Sequence, residues 1–323
     1  MAQTDLPLET LRTYRPEVAE PSDFDDFWAD TLAEARALAW APRLTAVDTP
    51  IEQLVVEDLT FAGFGGEPIT AWVTRPPGEG PWPTVVEYIG YGGGRGLPGE
   101  RLAWAASGYA HVLMDTRGQG SGWGSGGDTP DPHGSGPAGS GYMTRGITAP
   151  ETYYYRRVFT DGALLIDAVR GLEFVDSDRV AVTGGSQGGA ISLAVAGLSG
   201  ANVRAVMPDV PFLCHFRRSV ELTPQAPFTE IAVYLSVHRD AEDDVFRTLA
   251  YFDAVNFARR IQVPSLFSVG LMDPIVLPST VFTAYNHLAT EERAIEVYPY
   301  NGHEGGGHAH WVRQARWLAA HLD

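Results

Sequence analysis

Residues 184–188 read Gly-Gly-Ser-Gln-Gly, a G-x-S-x-G pentapeptide centred on Ser186. Glycine and serine are common, so the flanks carry more weight than the pentapeptide itself. Before it, Arg179–Thr183 is a short β-branched run; after it, Ala190–Leu198 is a helix-compatible run of small and aliphatic residues. Strand, sharp turn and helix are the setting in which a nucleophilic serine is held on a strained backbone among small neighbours. Gly184, Gly188 and Gly189 supply that room. The competing reading is a phosphate-binding or a plain βα turn built from glycine. The segment lacks the G-x-G-x-x-G spacing of a dinucleotide fingerprint.

Outward from this turn, short apolar runs alternate with helical stretches. The pattern predicts strands at Leu54–Phe61, Ile69–Thr74, Thr84–Ile89, Ala110–Met114, Val180–Thr183, Val203–Met207, Ser265–Val269 and Ala294–Tyr298. It predicts helices over Ser22–Leu38, Tyr153–Leu172, Gln187–Leu198, Asp243–Arg260, Ser279–Leu288 and His310–Leu322. Strands apolar on both faces and separated by helices are what a buried, mostly parallel sheet flanked by helices requires. In the first of those helices Ser22 is read as the N-cap with Asp25 three residues on. Phe24, Phe27, Trp28, Leu32 and Leu38 form its apolar face. Neither a repeat nor a second composition regime is visible, so residues 1–323 read as one domain. Residues 1–50 form an N-terminal helical extension, and residues 117–150 a glycine-rich insertion. That insertion, densest over Arg117–Gly141, reads as a long ordered loop near the site or an interface rather than a flexible linker.

A serine hydroxyl needs a base to take its proton and a carboxylate to orient that base, in the chain order Ser, Asp or Glu, His. His303 follows the last strand, in the loop Pro299–Gly307. Asp273 follows the strand Ser265–Val269 through Gly270-Leu271-Met272. Asp209, after the preceding strand, competes for the acid role, with a structural hydrogen bond beneath the turn as its other reading. Asp273 is preferred for its place at the sheet edge and its short path to His303. His308 and His310 stand in HEGGGHAH, where three glycines break the H-E-x-x-H spacing of a zinc helix. They are read as solvated or packing residues, with a metal site as the alternative. Backbone N–H groups for a developing oxyanion are expected from Gln187 and from Tyr91, in the loop Gly90–Gly96 after the third strand. The Tyr91 ring is expected to wall the acyl pocket.

Composition removes other chemistries. The 323-residue chain has net charge -17, one cysteine, and 23 basic residues that are all arginine. Without lysine there is no Schiff base, Walker A loop or Ser-Lys dyad. Cys214 alone forms no intrachain disulfide, redox pair or cysteine-rich zinc site. So acidic a chain repels phosphate backbones, which argues against nucleic acid as a partner. No apolar run approaches the ~20 residues of a membrane helix. The N-terminus lacks a basic region followed by an apolar core, so a cytoplasmic location is the expectation.

Three motifs in this order resemble the signature of the acetyl xylan esterase/cephalosporin-C deacetylase family, carbohydrate esterase family 7. They are Arg117-Gly118-Gln119, Gly184-Gly185-Ser186-Gln187-Gly188 and His303-Glu304. Tyr88-Ile89-Gly90-Tyr91, Met114–Trp123, Asp209–Arg218 and Tyr298-Pro299-Tyr300 look alike too. The resemblance implies an α/β-hydrolase with Ser186, Asp273 and His303 as triad and the Tyr91 and Gln187 amides as oxyanion hole. It implies removal of acetyl groups from xylo-oligosaccharides and cephalosporin C without metal or organic cofactor, with perhydrolysis as a side activity. A cytoplasmic homohexamer with active sites facing an internal cavity is implied as well, with Arg117 and Glu304 as structural supports. The family commonly has a polar residue after the acid and then a Pro-Pro pair. Here Pro274 follows Asp273 and Leu277 replaces the first proline, which bears on acyl-pocket shape and substrate preference. The rival expectations are a dienelactone-type hydrolase or peptidase on the same scaffold, and a catalytically silent binding module.

Overall fold

The strand that ends in the Ser186 turn lies inside a nine-stranded sheet. The computed structural model describes residue 3, residues 5–134 and residues 136–322. Its strands are β1 (Arg43–Ala46), β2 (Val55–Ala62), β3 (Pro68–Arg75), β4 (Trp82–Tyr88), β5 (Ala110–Met114), β6 (Val175–Gly185), β7 (Ala205–Asp209), β8 (Ser265–Gly270) and β9 (Arg293–Tyr298). Across the sheet the order is β1-β2-β3-β5-β4-β6-β7-β8-β9. Pairings from β1 through β3 to β5 are antiparallel, and those from β5 through β4 to β9 are parallel. Strand order therefore reverses at β4. The loops after β4 and β6 open a crevice there, the usual ligand site of such sheets.

Eleven α-helices occur among the described residues: α1 (Leu8–Leu11), α2 (Phe24–Ala37), α3 (Ala103–Ala106), α4 (Tyr154–Arg170), α5 (Gln187–Ser199), α6 (Phe216–Leu222), α7 (Phe228–Val237), α8 (Glu242–Ala250), α9 (Ala254–Ala258), α10 (Pro278–His287) and α11 (Gly307–Leu322). The larger core cluster joins one sheet face to apolar residues of α2, α4, α5, α9 and α10. A smaller cluster on the other face packs Trp104 of α3 and Leu318 and Leu322 of α11 against Val85, Ala181, Ala205, Met207 and Leu266. Sheets covered on both faces produce the continuous apolar strand runs seen in the sequence. The sheet and its two helical layers form the expected α/β-hydrolase architecture.

Three local expectations need correction. The run Asp243–Arg260 is two helices, because Asp253 takes an extended conformation and its carboxylate accepts from the Val255 N–H as the N-cap of α9. A short carboxylate competes with helix-interior bonding and suits a cap. Ser22 does not cap α2: Asp23 precedes the helix without a side-chain cap bond, and Asp25 pairs with Arg260 instead of closing a box. Leu38 lies outside the buried face of that helix, 56% exposed. Five further elements, β1, α1, α3, α6 and α7, lie outside the expected strands and helices. The first is a mostly exposed edge strand too short to show periodicity, and α1 and α3 span four residues each.

The glycine-rich segment is held in place by side chains. Asp115, just beyond β5, accepts from Arg95 N on Oδ1 and from Asp128 N and Thr129 N on Oδ2. Arg157 of α4 grips Asp131 through two bonds of 2.9 and 2.8 Å. A Cβ on Gly94 would lie 2.2 Å from the Gly126 carbonyl oxygen, so two backbones approach there as only glycine permits.

Candidate active site

Ser186 sits between β6 and α5 at φ 56°, ψ -117°, a strained conformation for a residue with a side chain. Backbone bonds over-determine it. Its N–H donates to Asp209 O at 2.9 Å, and its carbonyl accepts from Phe212 N at 3.0 Å and Ala190 N at 3.1 Å. The flanking glycines are sterically required: a Cβ on Gly188 would fall 2.1 Å from Tyr88 O, and one on Gly184 2.5 Å from the Gly188 carbonyl carbon. Ser186 thus stands on the sharp strand-to-helix turn that its sequence context predicts.

His303 and Ser186 line one cavity of about 740 Å³ at the crevice. Asp273 is buried behind the imidazole, with Oδ2 2.8 Å from His303 Nδ1. Its Oδ1 accepts from Ile275 N at 2.8 Å and Val276 N at 2.9 Å. Pro274, which has no N–H, is skipped by this fork. In the same run Ile275 lines the cavity, whereas Leu277 is buried at the start of α10.

Asp209 also lines the cavity but turns to other partners. Its Oδ1 accepts from Gln314 Nε2 at 3.0 Å and lies 2.9 Å from His310 Nε2, the latter off the hydrogen-bond axis. His310 is buried, with Nδ1 3.0 Å from the Tyr298 hydroxyl, while His308 stacks on Trp311. Among the described residues no group of three or more His, Cys, Asp or Glu side chains is placed to hold a metal ion. Of the two acids the sequence offers, Asp273 is the one whose carboxylate meets the His303 imidazole, while Asp209 meets Gln314 and His310.

Gln187 is the first residue of α5, so its N–H is one that helix geometry leaves without an intrahelical acceptor. Its buried side chain donates to Ile89 O and accepts from the Tyr155 hydroxyl at 2.9 Å. Tyr91 lines the cavity beside it. The Tyr91 hydroxyl donates to Glu230 Oε1 at 2.7 Å and accepts from Tyr142 N, and its ring packs on Tyr142 and Phe212. Burial, then the nearby Glu230 carboxylate, pushes the Tyr91 phenol far up, so it stays protonated. Burial likewise holds Glu230 above the ordinary carboxylate range. Sequence offered no signal for Glu230, which reaches this loop from α7 across 139 positions.

Arg117 and Glu304, the residues expected as structural supports, each have fixed partners. Arg117 is fully buried, its Nε and Nη2 bonded to Asp161 at 2.6 and 2.8 Å and its Nη1 to Glu67. Glu304 folds back on its own loop, accepting from Asn301 Nδ2 at 2.7 Å and Gly302 N at 3.0 Å. A larger cavity of about 870 Å³, between residues 15–21, α8 and His215, contains none of these groups.

The family model described as acetyl xylan esterase (AXE1) matches residues 1–321. The solved acetyl xylan esterase from Paenibacillus sp. R4 is 39% identical, superposes with a TM-score of 0.92, and is matched over 98% of this chain and 100% of that one. Acetyl xylan esterase 1 from Thermoanaerobacterium sp. JW/SL YS485 is 35% identical with a TM-score of 0.88, over 97% and 99% of the two chains. Acetyl esterase Axe7A of Xylanibacter ruminicola is 26% identical over 94% of this chain and 68% of its own length.

Proposed function

The chain belongs to the acetyl xylan esterase family and is a carboxylic ester hydrolase, and from that premise we propose that Ser186, Asp273 and His303 carry its chemistry. The observation that carries the assignment is a strained serine facing the same cavity as an imidazole paired to a buried carboxylate. His303 Nε2 takes the Ser186 hydroxyl proton as Oγ attacks the acetyl carbonyl. Asp273 holds Nδ1 and stabilises the imidazolium. The tetrahedral oxyanion rests on the Gln187 and Tyr91 amides. Collapse expels the alcohol, which receives the proton from His303 and leaves acetyl-Ser186. Water, deprotonated by the same imidazole, then releases acetate. The chemistry needs neither metal nor organic cofactor.

The proposed substrates are acetylated xylo-oligosaccharides and small acetyl esters of the cephalosporin C kind, through the short-acyl cleavage that the family name describes. The reading extends to a homohexamer working in the cytoplasm. Exposed Leu222, Val233 and Val237 on α6 and α7, 50, 60 and 68% accessible, support burial of that face against another copy. The single cysteine, Cys214, is buried and free, which suits a reducing compartment.

An acetyl-ester assay with Ser186→Ala tests the chemistry. Loss of essentially all turnover, together with loss of fluorophosphonate labelling, is the expected result. Retained turnover removes Ser186 from the nucleophile role, and faster cleavage of peptides than of acetyl esters points to a peptidase. Light scattering checks the hexamer.

A further inference from the structure

Of the four glycines around Ser186, three are packed and one is not. Gly184 and Gly188 meet backbone as described, and a Cβ on Gly189 would sit 3.0 Å from Asp209 O and Pro211 Cα. A Cβ on Gly185 would meet nothing within 4 Å. Nor does the backbone need glycine there, since Gly185 is not among the positive-φ residues. It is the exposed end of a strand whose preceding five residues are buried. Packing and dihedrals therefore give no reason for its missing side chain. The open space beside Ser186 does.

That space has two chemically distinct walls. Gly185 pairs with Asp209 in the β6–β7 ladder, so the two residues share a face of the sheet about 4.8 Å apart. Both line the cavity that holds Ser186 and His303. Among the described residues the partners of the Asp209 carboxylate, Gln314 and His310, meet Oδ1, and Oδ2 has none. Trp123 lines the same cavity, half-exposed at 50%, with its Nε1–H donated to Tyr91 O at 2.7 Å. Between them is Gly90: a Cβ there would lie 3.4 Å from Trp123 Cζ2 and 3.6 Å from Gly185 O. An aromatic ring and a carboxylate acceptor lining one cavity suit one class of leaving group. A pyranose presents C–H groups to the ring and hydroxyl donors to the carboxylate, whereas a simple alkyl alcohol offers only the former.

We propose that Gly185 is a specificity-determining position: its missing side chain makes the notch for the leaving sugar, with Asp209 Oδ2 accepting from a sugar hydroxyl and Trp123 flanking the ring. This rests on the esterase reading above and adds to it the residues that select the alcohol.

The test measures kcat/KM for a mono-O-acetyl methyl xyloside and for ethyl acetate with the full chain, Gly185→Ala, Gly185→Val and Asp209→Asn. Fluorophosphonate titration of Ser186 normalises each rate to intact sites. The expected result is a fall in the sugar-to-ethyl ratio of about tenfold for Gly185→Ala, and further for Gly185→Val. Asp209→Asn should lower the same ratio through KM for the sugar ester. An unchanged ratio, or a parallel fall with both esters at full titre, overturns the inference. So does a native protein that hydrolyses ethyl acetate but not the sugar ester, although the esterase reading then survives. Failure on both esters would instead remove that reading.

Discussion

The side-chain amides of Gln119 and Gln187 pair reciprocally, with Gln119 Nε2 2.9 Å from Gln187 Oε1 and Gln187 Nε2 3.2 Å from Gln119 Oε1. Gln119 Oε1 also accepts from Gly92 N at 2.7 Å, one residue beyond Tyr91. One buried amide therefore joins the two loops that carry the proposed oxyanion donors. Through this residue the glycine-rich segment is tied to both loops.

Gln119→Leu should accordingly slow turnover more than it weakens binding. It leaves the Gly92 N–H and the Gln187 amide short of partners and lets the two donors drift. Removing an oxyanion donor outright costs about 100-fold or more in kcat, so a loosened pair should cost about tenfold. Steady-state kinetics decide the matter: a change confined to KM would place Gln119 outside the oxyanion hole.

Asp273→Asn tests the acid. The carboxylate accepts two backbone N–H bonds on one oxygen and the His303 Nδ1–H on the other. An amide cannot accept on both sides, so it either releases the 275–276 backbone or presents N–H to the imidazole and imposes the wrong tautomer. A loss in kcat of about 10⁴-fold is expected. Asp209→Asn should cost far less with ethyl acetate, and the reverse ranking would reassign the acid.

Arg117→Gln should be a stability variant. It strips the guanidinium from Asp161, which is 1% exposed at the side chain, and from Glu67. Burial already raises the Asp161 carboxyl above its ordinary value despite the opposing arginine. Breaking a buried pair at one end typically costs about 3–5 kcal/mol. Urea denaturation measures this, and adding Asp161→Asn should recover part of the loss. No recovery would mean that the charge of Asp161 is not what the arginine balances.

His215 and Asp253, linked through the His215 backbone N–H that donates to Asp253 Oδ1, give opposed pH responses, each from the burial of its own titrating group. Burial, then Arg218 and His287, lowers the His215 imidazole from 6.5 to about 4. Unfolded chains then bind its proton first, so stability from this group is present above about pH 6.5 and lost as pH falls towards 4. Burial raises Asp253 from 3.8 to about 6, against three backbone donors. There the folded state holds the proton longer, so that stability is present below about pH 3.8 and lost as pH rises through 6. The two slopes largely cancel in the native protein. Relative to it, His215→Asn should lose stability as pH rises from 4 to 6, and Asp253→Asn should gain it. Urea midpoints across that range read the slopes, and slopes of the same sign would contradict the assignment.

Much of the fold was legible because it is written in local pattern. Ala110–Met114 was delimited to the residue, and the other seven expected strands overlap observed ones, since strands buried on both faces must be apolar throughout. The strained turn was legible from Gly184, Gly188 and Gly189 for a similar reason: steric need at a turn falls on adjacent residues. Helix ends that depend on distant partners were not legible. Asp25 pairs with Arg260 and Asp253 serves His215, neither a neighbour in sequence.

Residue type over a few positions is enough to mark the sheet's strands, the Ser186 turn and the chain order of the possible partners of Ser186. Asp273 and Asp209 both end strands of the same sheet, so which of the two carboxylates meets the His303 imidazole depends on how the elements pack. The same holds for the Gln119–Gln187 bridge and for the open notch at Gly185. Empty space and hydrogen-bond direction arise from the register and packing of elements far apart in the chain, and no local pattern encodes them.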